Sequence, residues 1–104
     1  MGMSTGLALM GYVPISCYPR FDFVLCAMNQ LVNHLDKIRK MSNLEMQPKV
    51  IIRTSIGSKI PLDGGVQHTQ DYTMMFKNIL TELNVVLLKD KRFKRIPNTY
   101  FKHQ

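Results

Sequence analysis

The chain has 104 residues, of which 45% are hydrophobic and 20% are charged, a balance that favours one small globular domain and excludes a disordered chain. No apolar run approaches the roughly 18 residues that a membrane span needs, so no membrane association is predicted. The net charge is +7, but residues 89–104 hold six of the 14 basic and one of the seven acidic residues, or +5 of that charge. The charge therefore belongs to a C-terminal tail, and nucleic acid is not an expected partner of the folded part.

The cysteine, histidine and N-terminal patterns exclude several other classes of protein. Cys17 and Cys26 lack the spacing of a metal or redox motif, and the histidines are scattered along the chain, so we predict no metal site. The small apolar N-terminus has no basic residues before it, which argues against a secretory signal peptide. We therefore expect a reduced cytoplasmic protein, or one of the mitochondrial matrix in a eukaryotic cell.

The first half of the chain predicts a helix end, a strand and a long amphipathic helix. Residues 4–10 are small and apolar and predict the end of a helix. Residues 12–16 predict a short buried strand, although Pro14 removes one backbone donor. Residues 22–40 predict a single amphipathic helix. Its buried stripe, at three- and four-residue steps, is formed by Val24, Met28, Leu31, Leu35 and Ile38.

The second half continues the alternation of strands and helices. Residues 49–54 are rich in β-branched side chains and predict a central strand. A glycine-rich loop is followed by a helix over residues 70–82 and a buried strand over residues 84–88. The apolar face of that helix is predicted to hold Tyr72, Met75, Phe76, Ile79 and Leu80. This order predicts an α/β domain over residues 1–88, built as a three-layer parallel sheet with helices on both faces, and then the basic tail, residues 89–104.

The predicted topology by itself indicates where a ligand would bind. Right-handed crossovers bring the carboxyl ends of parallel strands to one edge of the sheet, and ligands bind beyond that edge. Residues 17–23 and 55–70 are expected to emerge there. The first segment contains Tyr18, Phe21 and Phe23, whose rings either stack on a flat heterocycle or, more commonly, belong to the core.

The second segment combines glycines with a histidine. Gly64 and Gly65 allow a tight turn or the close approach of a ligand. His68 follows just before a helix, where an imidazole can exchange a proton near neutral pH, but a surface or helix-capping histidine fits the same pattern. The sequence contains no Ser-His-Asp order, P-loop or dinucleotide-binding glycine fingerprint, so those reaction classes are not indicated.

Four motifs follow one another in order along residues 6–88. The pattern G-x-A-x-x-G-x-x-P-I spans residues 6–15, and F-x-F-x-x-x-A-x-x-Q-x-x-N spans residues 21–33. A strand and loop similar to V-I-R-x-x-x-G span residues 51–57, and Q-H-T-Q spans residues 67–70. With these motifs the chain resembles the beta subunits of 2-oxo acid dehydrogenases of the pyruvate and branched-chain type. More broadly, it resembles the pyrimidine-binding domain of transketolase-like enzymes.

The resemblance implies that thiamine diphosphate binds between this domain and a second one. It implies that Phe23 stacks on the aminopyrimidine ring, and that His68 is a catalytic residue that assists proton transfers or acyl transfer to a lipoyl group. It further implies that an alpha-type subunit, or the missing portion of the same enzyme, holds the diphosphate and magnesium. The chain would then be part of an oligomeric oxidoreductase or transferase whose chemistry comes from the cofactor.

The chain also departs from the family pattern. The family glutamate that activates the cofactor would precede Gly6, so we expect it to be absent and the chain to be a fragment that is inactive alone. Cys17 stands where the family has an acidic residue, and Thr69 replaces the usual serine of Q-H-S-Q. Residues 89–104 match no motif of the family.

Two alternative functions stay open at this point. One is a non-catalytic module of the same fold that only pairs with other subunits. The other is nucleic-acid binding through the basic tail and its aromatic residues Phe93, Tyr100 and Phe101. Because an incomplete parallel sheet leaves open edges and uncovered helix faces, we also expect the isolated chain to self-associate.

Overall fold

The computed structural model describes residues 1–88 with their side chains and residues 98–103 as backbone alone. The elements in chain order are helix α1 (Gly2–Leu9), strand β1 (Ile15–Tyr18), a 3₁₀ helix (Phe21–Ala27), a π-helix (Asn29–Leu35), helix α2 (Ile38–Met41), strand β2 (Ile51–Ser55), helix α3 (Thr73–Ile79), strand β3 (Leu83–Leu88) and strand β4 (Asn98–His103). The fold is therefore a mixture of α and β structure, as the alternating pattern predicts.

The four strands form one sheet in the order β1-β2-β4-β3. β1 and β2 are parallel, with Ile15 opposite Ile51 and Tyr18 opposite Thr54. β4 is antiparallel to both β2 and β3, so β1, β2 and β3 all run in one direction. The prediction of a wholly parallel sheet is therefore wrong, and the three-layer arrangement stays a prediction. β4 follows β3 too closely in the chain for the crossover of a dozen or more residues that a parallel neighbour requires.

The predicted basic tail is only partly described. Residues 89–97 and residue 104 lie outside the described residues, whereas residues 98–103 form β4 in the interior of the sheet. The sequence pattern gave no reason to expect a strand there. The division of the chain into a domain over residues 1–88 and a tail over residues 89–104 stays a prediction.

The long amphipathic helix is helical, but its pitch changes along its length. The first part is a 3₁₀ helix, the middle is a π-helix and the last turn is α-helical, whereas we predicted a single regular helix. Phe21 and Val24 are both fully buried and lie three positions apart, which is the repeat that aligns side chains in a 3₁₀ helix. Leu31 and Leu35 are also fully buried, as the predicted stripe requires. The predicted apolar side chains are therefore buried, although the helix does not keep one regular pitch.

The core lies between the helices and the strands. Phe21 stacks on Phe76 of α3, with ring centroids 5.4 Å apart, and meets Tyr72 edge-on at 5.8 Å. The prediction for α3 is correct for Phe76 and Leu80, which are buried, but Met75 and Ile79 are exposed. The buried apolar residues are Ala8, Phe21, Val24, Leu31, Leu35, Val50, Ile52, Ile56, Phe76, Leu80, Leu83 and Val85.

A buried carboxylate joins the helical segment to the start of β3. Asp36 is fully buried and accepts hydrogen bonds from the backbone N–H groups of Thr81, Glu82 and Leu83 at 2.9–3.1 Å. Lys37 forms a salt bridge with the same carboxylate. Burial alone raises the pKa of Asp36, but the hydrogen bonds from Lys37 and from the backbone outweigh it and lower the pKa from 3.8 to about 2. Asp36 is therefore ionised and held at the amino ends of the strands.

Candidate functional site

The two segments that follow β1 and β2 meet beyond the carboxyl ends of these strands. The aromatic ring of Phe23 and the imidazole of His68 are in contact, with centroids 5.5 Å apart and planes at 78°. Phe23 is 45% exposed and His68 is partly buried. The structure thus brings together the two residues that the sequence singled out, although 45 positions separate them in the chain. Their chemical roles stay proposals.

The 3₁₀ helix determines which aromatic side chain of the first segment is open to a ligand. Phe21 and Val24 form the buried line of this helix, and Phe23 lies off that line. Phe21 is occupied by its ring contacts with Phe76 and Tyr72. Of the three aromatic residues in the first segment, Phe23 is therefore the one that is about half-exposed and also contacts His68.

The backbone of His68 is held by residues on both sides. Its N–H donates to the carbonyl oxygen of Gly65 at 3.0 Å, and Nη1 of Arg20 donates to its carbonyl oxygen at 3.2 Å. Gly65 has a φ of +92°, in the left-handed region that favours glycine, and its N–H donates a hydrogen bond to Asp63 Oδ1 at 2.8 Å. This turn fixes the position of the histidine relative to Phe23.

Gly57 allows the two loops to approach each other closely. A Cβ atom added at Gly57 would lie 1.8 Å from the carbonyl oxygen of His68 and 2.8 Å from Nη1 of Arg20. Any side chain at this position would push the His68 backbone away. The glycine of the V-I-R-x-x-x-G pattern therefore has a steric function in this fold, which sequence reasoning did not identify.

Asp22 and Gln70 form a second link between the same two segments. Asp22 Oδ1 accepts hydrogen bonds from the backbone N–H of Gln70 at 3.3 Å and from its side-chain amide at 3.0 Å. The other oxygen, Asp22 Oδ2, is buried and has no hydrogen-bond partner among the residues whose side chains are described. The polar residues flanking Phe23 and His68 therefore connect the two loops.

Two neighbouring cavities lie at the carboxyl ends of β1 and β2. The larger, about 420 Å³, is lined by Pro19, Arg20, Ser55, Ile56, Gly57, Ser58, Pro61 and Leu62. The smaller, about 150 Å³, is lined by Cys17, Tyr18, Pro19, Arg53, Thr54 and Ser55. The sequence predicted a site at this edge, but it gave no role to Arg20 or Arg53. Arg20 lies four positions beyond the first predicted strand and Arg53 lies inside the second, so no local signal marks either of them.

Metal ligands and cysteine pairs do not form a further site in the described part of the chain. Over these residues, no cluster of three or more histidine, cysteine, aspartate or glutamate side chains could hold a metal ion. Cys17 and Cys26 are exposed free thiols. No helix of the described segments has both the length and the apolar character needed to cross a membrane.

Comparisons with known proteins support the resemblance that the motifs suggest. The chain is 30% identical over 77 residues, 74% of its length, to the 2-oxoisovalerate dehydrogenase subunit beta of Bacillus subtilis. It is 30% identical over 78 residues, 75% of its length, to the mitochondrial pyruvate dehydrogenase E1 component subunit beta of Saccharomyces cerevisiae. These matches cover 23% and 21% of the two relatives, so the chain spans less than a quarter of their length.

The other two comparisons gave no match. No protein-family model matches the chain, and no solved structure is significantly similar to it. The similarity is therefore to one stretch of the beta subunits of two 2-oxo acid dehydrogenases, and it covers about three quarters of this chain.

Proposed function

We propose that this chain contributes the aminopyrimidine side of a thiamine diphosphate site in an enzyme of the 2-oxo acid dehydrogenase type. The observation that carries the proposal is the contact between Phe23 and His68, at 5.5 Å, beyond the carboxyl ends of β1 and β2. Ligands of parallel α/β sheets bind in this position. The similarity to two dehydrogenase beta subunits supports the same function.

The residues present suit a flat heterocycle. Phe23 is 45% exposed, so part of its ring is open for stacking, whereas the ring of Phe21 is fully buried. Base–aromatic stacking contributes roughly 1–3 kcal/mol to binding. When bound, thiamine diphosphate supplies the carbanion chemistry, and the protein supplies orientation and exclusion of water. Phe23 would therefore position the pyrimidine ring in the site.

His68 is suited to moving protons beside that ring. Its backbone is fixed by Gly65 and Arg20, while its imidazole meets the edge of Phe23. A histidine side chain gains and loses a proton near neutral pH, which suits a general acid or base. We propose that His68 donates or accepts a proton at the substrate, or assists acyl transfer to a lipoyl group.

The diphosphate side of the site is assigned to a partner. We propose that an alpha-type subunit, or another portion of the same enzyme, holds the diphosphate and its magnesium ion. Both relatives are named as beta subunits, which supports an assembly of more than one chain. The isolated chain is accordingly expected to have no turnover of a 2-oxo acid.

Binding of thiamine diphosphate to the chain together with a candidate alpha-type subunit tests this function. Calorimetry should detect saturable binding by the mixture. Phe23→Ala should weaken the binding at least tenfold because it removes the stacking surface. Met41→Ala is the control, since Met41 is a large exposed side chain, at 73%, on α2 and outside the two loops of the site. Equal affinities for the two variants would reject the proposed role of Phe23.

A non-catalytic pairing module is the second candidate function. Large apolar side chains are exposed on α1 and the segment that follows it, namely Met3, Leu7, Leu9, Met10, Tyr12, Val13 and Ile15. Such a surface is typical of protein–protein contacts. Partner binding without any cofactor binding would favour this function. The nucleic-acid alternative depends on residues 89–104, whose side chains lie outside the described part of the chain.

A further inference from the structure

We propose that the two cavities at the ends of β1 and β2 form one groove that binds the carboxylate or phosphate group of a small ligand. We call it the anion groove, and it is lined by Cys17, Tyr18, Pro19, Arg20, Arg53, Thr54, Ser55, Ile56, Gly57, Ser58, Pro61 and Leu62. Pro19 and Ser55 line both cavities, which makes them neighbours. Neither Phe23 nor His68 lines the anion groove, so the assignment does not depend on the cofactor site.

The charge of the lining is positive. Arg20 and Arg53 line the anion groove, and none of its lining residues is acidic. Arg20 donates through Nη1 to the carbonyl oxygen of His68, and a guanidinium carries further N–H donors. For the side chain of Arg53, no partner is found among the residues with described side chains. Arginine recognises carboxylate and phosphate through paired hydrogen bonds, so these two residues are suited to an anion.

An unpartnered hydroxyl is the second, independent observation. Thr54 lines the smaller cavity and is 1% exposed. Its Oγ1 is buried and has no hydrogen-bond partner within the described part of the chain. A buried hydroxyl without a partner destabilises a fold. An oxygen of a ligand in the anion groove would accept the missing hydrogen bond, which explains why a threonine is tolerated there.

The dimensions point to a small ligand. The cavities have volumes of about 420 and 150 Å³, and small-molecule sites have volumes of roughly 300–1,000 Å³. The two arginines supply the charged donors, because the Ser58 hydroxyl already donates to the carbonyl oxygen of Ile60. The anion groove therefore has the size and donors for the charged end of a small organic acid or phosphate ester.

Titration of the full chain with inorganic phosphate and, separately, with acetate tests the proposal. Backbone amide resonances of residues 53–58 should shift saturably at low ionic strength with at least one probe, and the tighter probe identifies the group. Arg53→Gln should weaken that binding about tenfold, because it removes a charge-assisted pair of hydrogen bonds. Lys77→Gln on α3 is the matched control, since it removes one positive charge away from the groove and should change the affinity less than twofold.

Thr54→Val separates ligand binding from stability. Valine has nearly the same shape as threonine, so removing the unpartnered hydroxyl should leave the melting temperature unchanged or raise it, while anion binding weakens severalfold. The proposal is overturned if neither probe binds saturably, or if Arg53→Gln and Lys77→Gln bind equally well. If Thr54→Val lowers the melting temperature, the hydroxyl has a structural role. The comparison of Arg53→Gln with Lys77→Gln then decides alone whether the anion groove binds an anion.

Discussion

The buried carboxylates of Asp36 and Asp22, at opposite ends of the sheet, differ in how completely their oxygens are hydrogen-bonded. At the amino end, the fully buried Asp36 is surrounded by donors from Lys37 and from the start of β3. At the carboxyl end, Asp22 Oδ2 and Thr54 Oγ1 are buried without a partner among the described side chains. The aromatic ring of Phe23 is also 45% exposed at that end.

This difference indicates what each end does. A buried carboxylate with its hydrogen bonds satisfied fixes one arrangement of helix and strand, and it contributes to stability only as long as its donors stay in place. Unsatisfied polar atoms and exposed rings cost stability, so they are typical of places where a ligand completes the structure. The amino end is thus expected to govern folding, and the carboxyl end to govern binding.

The largest expected effect on the free energy of unfolding is at the amino end of the sheet. Asp36→Asn replaces a charged acceptor that serves several backbone donors, and breaking a buried ion pair or its hydrogen bonds costs roughly 3–5 kcal/mol. The free energy of unfolding, measured by urea denaturation, should fall by that amount. Glu45→Gln is the control, because Glu45 is exposed and should change stability by less than about 0.5 kcal/mol. Equal effects would remove the proposed contrast between the two ends.

The pH dependence of stability is a second test of the contribution of Asp36. The pKa of Asp36 is lowered from 3.8 to about 2, so its ionised form stabilises the fold at and above pH 5. This contribution, about 2 kcal/mol at neutral pH, should be lost as the pH falls from about 4 to 2. Urea denaturation at several pH values should show the decrease, and Asp36→Asn should make the profile flatter. An identical slope in the variant would contradict this assignment.

A steric change tests how closely the two loops pack at the carboxyl end. Gly57→Ala places a Cβ atom against the carbonyl oxygen of His68 and should destabilise the fold by roughly 1–3 kcal/mol. It should also move His68 away from Phe23, which the aromatic resonances would report. Gly6→Ala in α1 meets open space and should stabilise by roughly 0.5–1 kcal/mol. If both variants were equally stable, the close contact at Gly57 would be rejected.

The smallest expected effect on stability is at Phe23. Because Phe23 is about half-exposed and its described ring contact is with His68, Phe23→Ala should cost about 1 kcal/mol or less. Phe21→Ala, two positions earlier, should cost roughly 3–5 kcal/mol because that ring is fully buried and stacked on Phe76. Thermal denaturation of both variants measures the difference. A large loss of stability with Phe23→Ala would place this residue in the core instead of in a site.

The sequence predicted which two segments form the candidate site, but it did not predict the contacts that hold them together. Alternating strands and helices placed residues 17–23 and 55–70 at one edge, and the contact between Phe23 and His68 lies there. The contributions of Arg20 and Gly57 were not predictable, because both act on the His68 carbonyl, which is distant in sequence. The link between Asp22 and Gln70 was not predictable for the same reason, since the two residues lie in different loops.

The sequence by itself determined the identity and order of most elements, because apolar periodicity is a local property of the chain. The 3- and 4-residue spacing of apolar side chains predicted the helical segment, a β-branched run predicted β2, and a short apolar run predicted β3. Only the tertiary structure decided the direction of β4 and the changing pitch of the long helix. It also decided which buried polar atoms find partners. Each of these features depends on contacts between residues far apart in sequence, and no local pattern encodes such contacts.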